Sequence, residues 1–139
     1  MSDRSSPSMA LLIAESDSQL RHLFRVLLRP YYAVIEAPNT ALALETLRAH
    51  SAPLVVVWDL WLSFIAAPHV LDAIEREPAF RRHAFILLAA DPEAFSPALR
   101  QRAQRLSISM LSMPFEVDTF LEQVARAQER ATAPHQVAD

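Results

Sequence analysis

At 139 residues the chain is one domain's worth, and with 52% hydrophobic and 21% charged residues it holds ample apolar material for a core, which excludes intrinsic disorder. A net charge of -3 offers no positive field to nucleic acid or anionic lipid. The absence of Cys removes disulfides, thiolate metal sites and Cys nucleophiles and points to a reducing, cytoplasmic setting, and no apolar run reaches the roughly 18 residues of a membrane span.

Two further absences narrow the chemistry. Without glycine there is no P-loop and no dinucleotide fingerprint. All 13 basic residues are Arg, so Schiff-base and other lysine chemistry is excluded.

In chain order, residues 1–9 are Ser-rich and aperiodic and are expected to form a disordered arm. Leu11-Leu12-Ile13-Ala14 is a continuous apolar run ending in Glu15-Ser16-Asp17, the pattern of a strand buried on both faces. Leu20, Leu23, Phe24, Leu27 and Leu28 then recur at helical spacing, with cap candidates at 16–18 and Pro30 as the stop. A second strand is expected over Tyr32–Glu36, followed by a helix capped by Asn39, carrying Leu42, Leu44 and Leu47 and ending before Pro53. Leu54-Val55-Val56-Val57-Trp58 reads as a central strand with Asp59 at its end. Pro68 opens a helix with Val70, Leu71 and Ile74, and Phe85–Leu88 is the fourth strand. Pro97–Arg105 is a short helix and Ile108–Leu111 the fifth strand. A last helix over Glu116–Arg130 has Val117, Phe120, Leu121 and Val124 on its inner face. The expected domain spans 10–131, with 132–139 as a flexible tail or linker to a possible output domain.

Five strands alternating with five helices call for an α/β fold with a parallel sheet covered on both faces. Ligand chemistry in such sheets sits at the carboxyl ends of the strands. There the sequence places Glu15, Ser16 and Asp17, then Asp59, Ala89 and Met113-Pro114.

At these positions the chain resembles the receiver domain of two-component response regulators. LLIAESD stands where that family has a strand ending in an acidic pair, LVVVWDLWLS where it has the phosphoacceptor strand, FILLAA where a strand ends in Thr or Ser, and SMPF where it has Lys-Pro-Phe. The resemblance implies a flavodoxin-like (βα)5 sandwich with strand order 2-1-3-4-5 and makes Asp59 the candidate phosphoacceptor.

The departures matter as much as the matches. Glu15 fills the first acidic position, but the second, the direct Mg²⁺ ligand, is Ser16. Ala89 replaces the hydroxyl that reads the phosphoryl group, Met113 the lysine that pairs with it, Met110 the switch aromatic, and Ser63 the proline four residues after the aspartate. Mg²⁺ needs hard oxygen ligands, so a site built on Glu15 and Asp59 is expected to be weak, with Asp17 either a water-mediated substitute or a helix cap. No cofactor beyond such weak Mg²⁺ is expected.

Trp61, Leu62, Phe64 and Ile65 occupy a loop that is polar in the family; they either cover the pocket as extra core or form a partner surface. His22, His50, His69, His83 and His135 lack metal-ligand spacing and read as surface residues. Ser16 and Ser63 lack the glycine elbow and His base of a hydrolase nucleophile. The expected function is therefore non-enzymatic: an atypical receiver that signals through protein contact, with a histidine kinase, an output domain or another signalling protein as partner and impaired phosphorylation-dependent switching. A slow phosphoacceptor and a small-molecule binder on the same fold are the alternatives. A homodimer is expected through Arg100, Arg102 and Arg105 of one copy facing Asp118, Glu122 and Glu129 of another.

Overall fold

The computed structural model describes residues 9–59, 67–89 and 96–132. Five strands and five helices alternate: β1 (Ala10–Ala14), α1 (Ser18–Leu28), β2 (Ala33–Ala37), α2 (Thr40–Ala49), β3 (Val55–Asp59), α3 (Ala67–Arg76), β4 (Ala84–Ala89), α4 (Pro97–Arg105), β5 (Ser109–Ser112) and α5 (Val117–Thr132). A 3-10 turn, Pro78–Arg82, leads into β4. The strands form one parallel sheet in the order β2-β1-β3-β4-β5, which is the doubly wound arrangement expected from the alternation of elements.

The period of two along a strand sends alternate side chains to opposite faces, and both faces are covered. Leu12, Val56, Trp58, Phe85 and Leu87 face α2, α3 and α4, meeting Leu47, Leu71 and Ile74. Leu11, Ile13, Val57, Ile86 and Leu88 face α1 and α5, meeting Phe24, Leu28, Phe120 and Val124. This burial of both faces is why the central strands read as unbroken apolar runs. In the second layer Phe120 lies 5.4 Å from Phe24 and 4.9 Å from Phe115 between ring centroids, and such pairs hold α1 against α5 beyond the area they bury.

Local signals set the boundaries. Asp17 Oδ1 accepts from the Gln19 and Leu20 amides at the start of α1, Asn39 Oδ1 from Leu42 at the start of α2, and Ser96 Oγ from Leu99 at the start of α4. With no glycine available, α4 ends on Ser107 in the left-handed region, φ 60°. Its amide bonds the Gln104 carbonyl and the Ile108 amide reaches back to Ala103, the paired bonds of a Schellman ending. On the edge strand β2, Glu36 is held by Arg21 at 3.1 Å and Arg25 at 2.9 Å, clamping α1 to the margin of the sheet.

Several details depart from the sequence reading. Leu23, Leu42 and Val117 are 48%, 42% and 46% exposed. The buried stripes are narrower than the apolar ones: Phe24 and Leu28 on α1, Ala43 and Leu47 on α2, with Phe120 the first buried side chain of α5. Strand β2 starts one residue late because Tyr32 belongs to the turn, its ring in the α1–α5 layer and its hydroxyl donating to Gln128 Oε1 at 3.2 Å. Helix α5 continues through Thr132, past the expected end at Arg130. The arm over residues 1–8, the tail from 133 onward and the segments 60–66 and 90–95 lie outside the described residues, as do the calls made on them.

Candidate functional site

Strands β1 and β3 are neighbours, with Ala14 level with Trp58, so the next residue along each brings Glu15 beside Asp59 at the carboxyl edge of the sheet. Both are buried, 2% and 6% exposed. The Glu15 amide donates to the Ala37 carbonyl, and its carbonyl accepts from Arg21 Nη1 at 3.0 Å. Its Oε2 accepts from the Asp17 amide at 3.0 Å. Among the described residues Oε1 has no hydrogen-bond partner and lies out of water, and Asp59 Oδ2 is equally shielded.

Two carboxyls this close in a dry site cannot both ionise freely. Burial pushes Glu15 up to about 8, the contact with the Asp59 carboxyl adds to the rise, and the Asp17 amide partly opposes it. The shift favours the protonated form of Glu15, so the pair holds less negative charge than its formula suggests.

Of the remaining sequence-predicted residues, Asp17 meets this pair through its backbone amide. Ser16 is exposed. Asp17 is consumed as the α1 cap, which decides between its two expected roles. Ala89 ends β4 one residue beyond Leu88, the partner in register of Asp59, and its carbonyl accepts from the Met113 amide at 2.8 Å. The Met113 side chain packs with the α1–α5 layer ahead of a cis peptide to Pro114, while Met110, level with Leu87, packs against the opposite layer. Trp61, Leu62, Ser63, Phe64 and Ile65 lie outside the described residues.

The resemblance to receiver domains implies Mg²⁺, and the residues present fit it poorly. An octahedral hard ion draws on several anionic oxygens. Here the position next to Glu15 is the neutral hydroxyl of Ser16, and Asp17 is engaged with the backbone amides of α1. Among the described residues no three His, Cys, Asp or Glu side chains are grouped as metal ligands.

No family model matches the sequence, and no curated protein matches it. Solved structures do match. The signal receiver domain of a putative LuxO repressor protein from Vibrio parahaemolyticus aligns with TM-score 0.73 at 19% identity, covering 89% of this chain and 92% of that one. The signal receiver domain of an HD domain-containing protein from Pseudomonas fluorescens Pf-5 gives 0.70 at 21%, covering 89% and 97%. Chemotaxis protein CheY4 of Vibrio cholerae gives 0.68 at 18%, covering 86% and 98%. The chain has the receiver fold. Within the receiver fold the Glu15–Asp59 pair sits at the carboxyl ends of adjacent strands, where ligand chemistry is expected in such sheets.

One residue overturns the sequence reading, and two more have partners it did not foresee. His83 is not a surface residue but 6% exposed: its Nδ1 accepts from the Leu54 amide at 3.0 Å and its Nε2 donates to the Leu47 carbonyl at 3.1 Å. An amide can only donate, so the partners fix the neutral Nε2–H tautomer, and burial lowers its pKa to about 4. Its place directly before the buried run Ala84–Ala89 was the available signal. Arg102, expected to face a second copy, bridges Asp72 and Glu75 of α3 within the chain; helix-to-helix pairing across some 30 positions leaves no trace in local pattern. Glu122 likewise has an intrahelical partner in Arg126 at 3.1 Å.

Proposed function

We propose that the chain is a signalling module of the two-component type that works through protein contact, its phosphorylation-dependent switch disabled. One observation carries this reading: Glu15 and Asp59 lie buried at the ends of neighbouring strands, in surroundings that offer Ser16, Ala89 and Met113 in place of a ligand, a donor and a cation. Even a phosphorylated Asp59 would lack its readers. Two charge-assisted hydrogen bonds at roughly 1.5–3 kcal/mol each amount to about 3–6 kcal/mol, and moving a two-state equilibrium from 1:99 to 99:1 takes about 5.5 kcal/mol. The partner is a protein: a histidine kinase, an output domain, another signalling protein or a second copy of the chain.

Trp58 is buried beside Asp59 at the end of β3 and reports on the site. Its fluorescence should stay flat through a titration with millimolar Mg²⁺ and beryllofluoride, and mass spectrometry after incubation with a small phosphodonor should show no added phosphoryl group. A saturable Mg²⁺-dependent change would overturn the proposal in favour of a slow phosphoacceptor. Ser16→Asp alone should recover metal affinity without a switch; phosphoryl acceptance with a conformational response should need Ser16→Asp, Ala89→Thr and Met113→Lys together, because these groups act as a unit.

A further inference from the structure

At the end of the sheet opposite Asp59, a cleft of about 350 Å³ lies between the 3-10 turn and the end of α4. Buried Ile74 and Phe80 and half-buried Leu106 form its apolar floor, and exposed Arg81, Arg105 and Ser107 stand at its rim. The charge there is out of balance. Arg81 and Arg105 line the cleft with no acidic residue among its walls, and the acids Asp72, Glu75 and Glu77 are already committed: Asp72 and Glu75 to Arg102, Glu77 to Arg48. Arg81 donates to the neutral Glu75 carbonyl at 3.0 Å, which leaves its charge uncompensated. Arg105 makes no hydrogen bond or ion pair with any described residue.

Two guanidinium groups over an apolar floor match a ligand with an anionic head and a compact hydrophobic body, since the Arg fork suits carboxylate and phosphate alike. The volume is at the small end of ligand pockets, which run from about 300 Å³. The Schellman bonds of Ser107 and Ile108 fix one wall in advance, so little ordering is needed on binding. His83 borders the cleft but is not a ligand, because both ring nitrogens are engaged with backbone groups.

We propose that this cleft binds a small organic anion, a carboxylate or phosphate ester with an apolar body, gripped by Arg81 and Arg105 over Leu106. The proposal is independent of the state of the Asp59 site. Titration of the isotopically labelled full chain with phenyl phosphate and with benzoate, followed by amide chemical shifts, tests it. Saturable shifts at Phe80, Arg81, Leu106 and Ser107 are expected with at least one probe, the tighter of the two identifying the head group. Arg105→Gln should weaken that binding at least about tenfold, with Arg81→Gln as the second variant. Absence of saturable shifts with both probes, unchanged affinity in both variants, or inorganic phosphate binding as tightly as phenyl phosphate would each overturn the proposal.

Discussion

The two ends of the sheet treat a buried ionisable side chain in opposite ways. At the amino ends of the strands, His83 is buried with each ring nitrogen matched to a backbone group and joins the end of α2 to the entries of β3 and β4. At the carboxyl ends, Glu15 is buried as deeply but against a second carboxyl, Asp59, a contact that is satisfied only while a proton is held between them. A satisfied buried polar group is a structural joint; an unsatisfied one costs free energy and persists where the geometry serves something other than stability. The contrast separates scaffold from site without reference to any relative.

Breaking the joint should have the largest effect. His83→Ala removes both bonds, leaving the Leu54 amide and the Leu47 carbonyl unpaired in the core at about 1–3 kcal/mol each. Urea denaturation should show a loss of about 3 kcal/mol or more, whereas Ala at exposed His22 should change stability by less than about 0.5 kcal/mol.

The two groups should also pull stability in opposite directions with pH. His83 has its pKa lowered from 6.5 to about 4, so its contribution is complete above 6.5 and is lost as pH falls through 4. Glu15 is raised from 4.5 to about 8, so the folded protein holds an extra proton between those values, and stability falls as pH rises through 8. Each slope reaches at most about 1.4 kcal/mol per pH unit. Urea midpoints should stay roughly level between pH 4.5 and 6.5, where the two slopes oppose each other, and fall from there to 8, and Glu15→Gln should remove that fall, gaining on the order of 1 kcal/mol or more at pH 8. An alkaline limb unchanged in that variant would show that the carboxyl pair is not its source.

Smaller effects sharpen the same contrast at the helix ends. Asp17→Ala frees two amides at the start of α1 and should cost about 1 kcal/mol. Ser107→Gly relieves a side chain in the left-handed region and should gain up to about 1 kcal/mol in thermal unfolding.

The strand runs Leu11–Ala14, Val55–Trp58 and Phe85–Leu88 were legible because a parallel strand covered on both sides must be apolar throughout, and Asn39 and Pro97 marked helix starts by local chemistry. Position along the chain was enough to place Asp59, Glu15 and Ala89 at the strand ends. What escaped was pairwise and distant. Nothing near His83 announces that its partners lie 29 and 36 positions away, and the bond between Arg102 and α3 depends on two helices lying side by side. The protonation of Glu15 was hidden for the same reason, since it comes from burial and from a neighbour 44 residues along the sequence. Asp17 had two chemically reasonable roles, and only geometry chose between them.

The clamp on β2 bears on how the protein behaves in crowded solution. An open parallel sheet ends in a row of backbone donors and acceptors that another chain can extend. Here the margin strand carries Glu36 locked to two arginines of α1, so a second strand docking alongside would meet a fixed charged cluster held by a helix. Assembly of this molecule is thereby steered toward its helices and away from edge-to-edge growth into fibres.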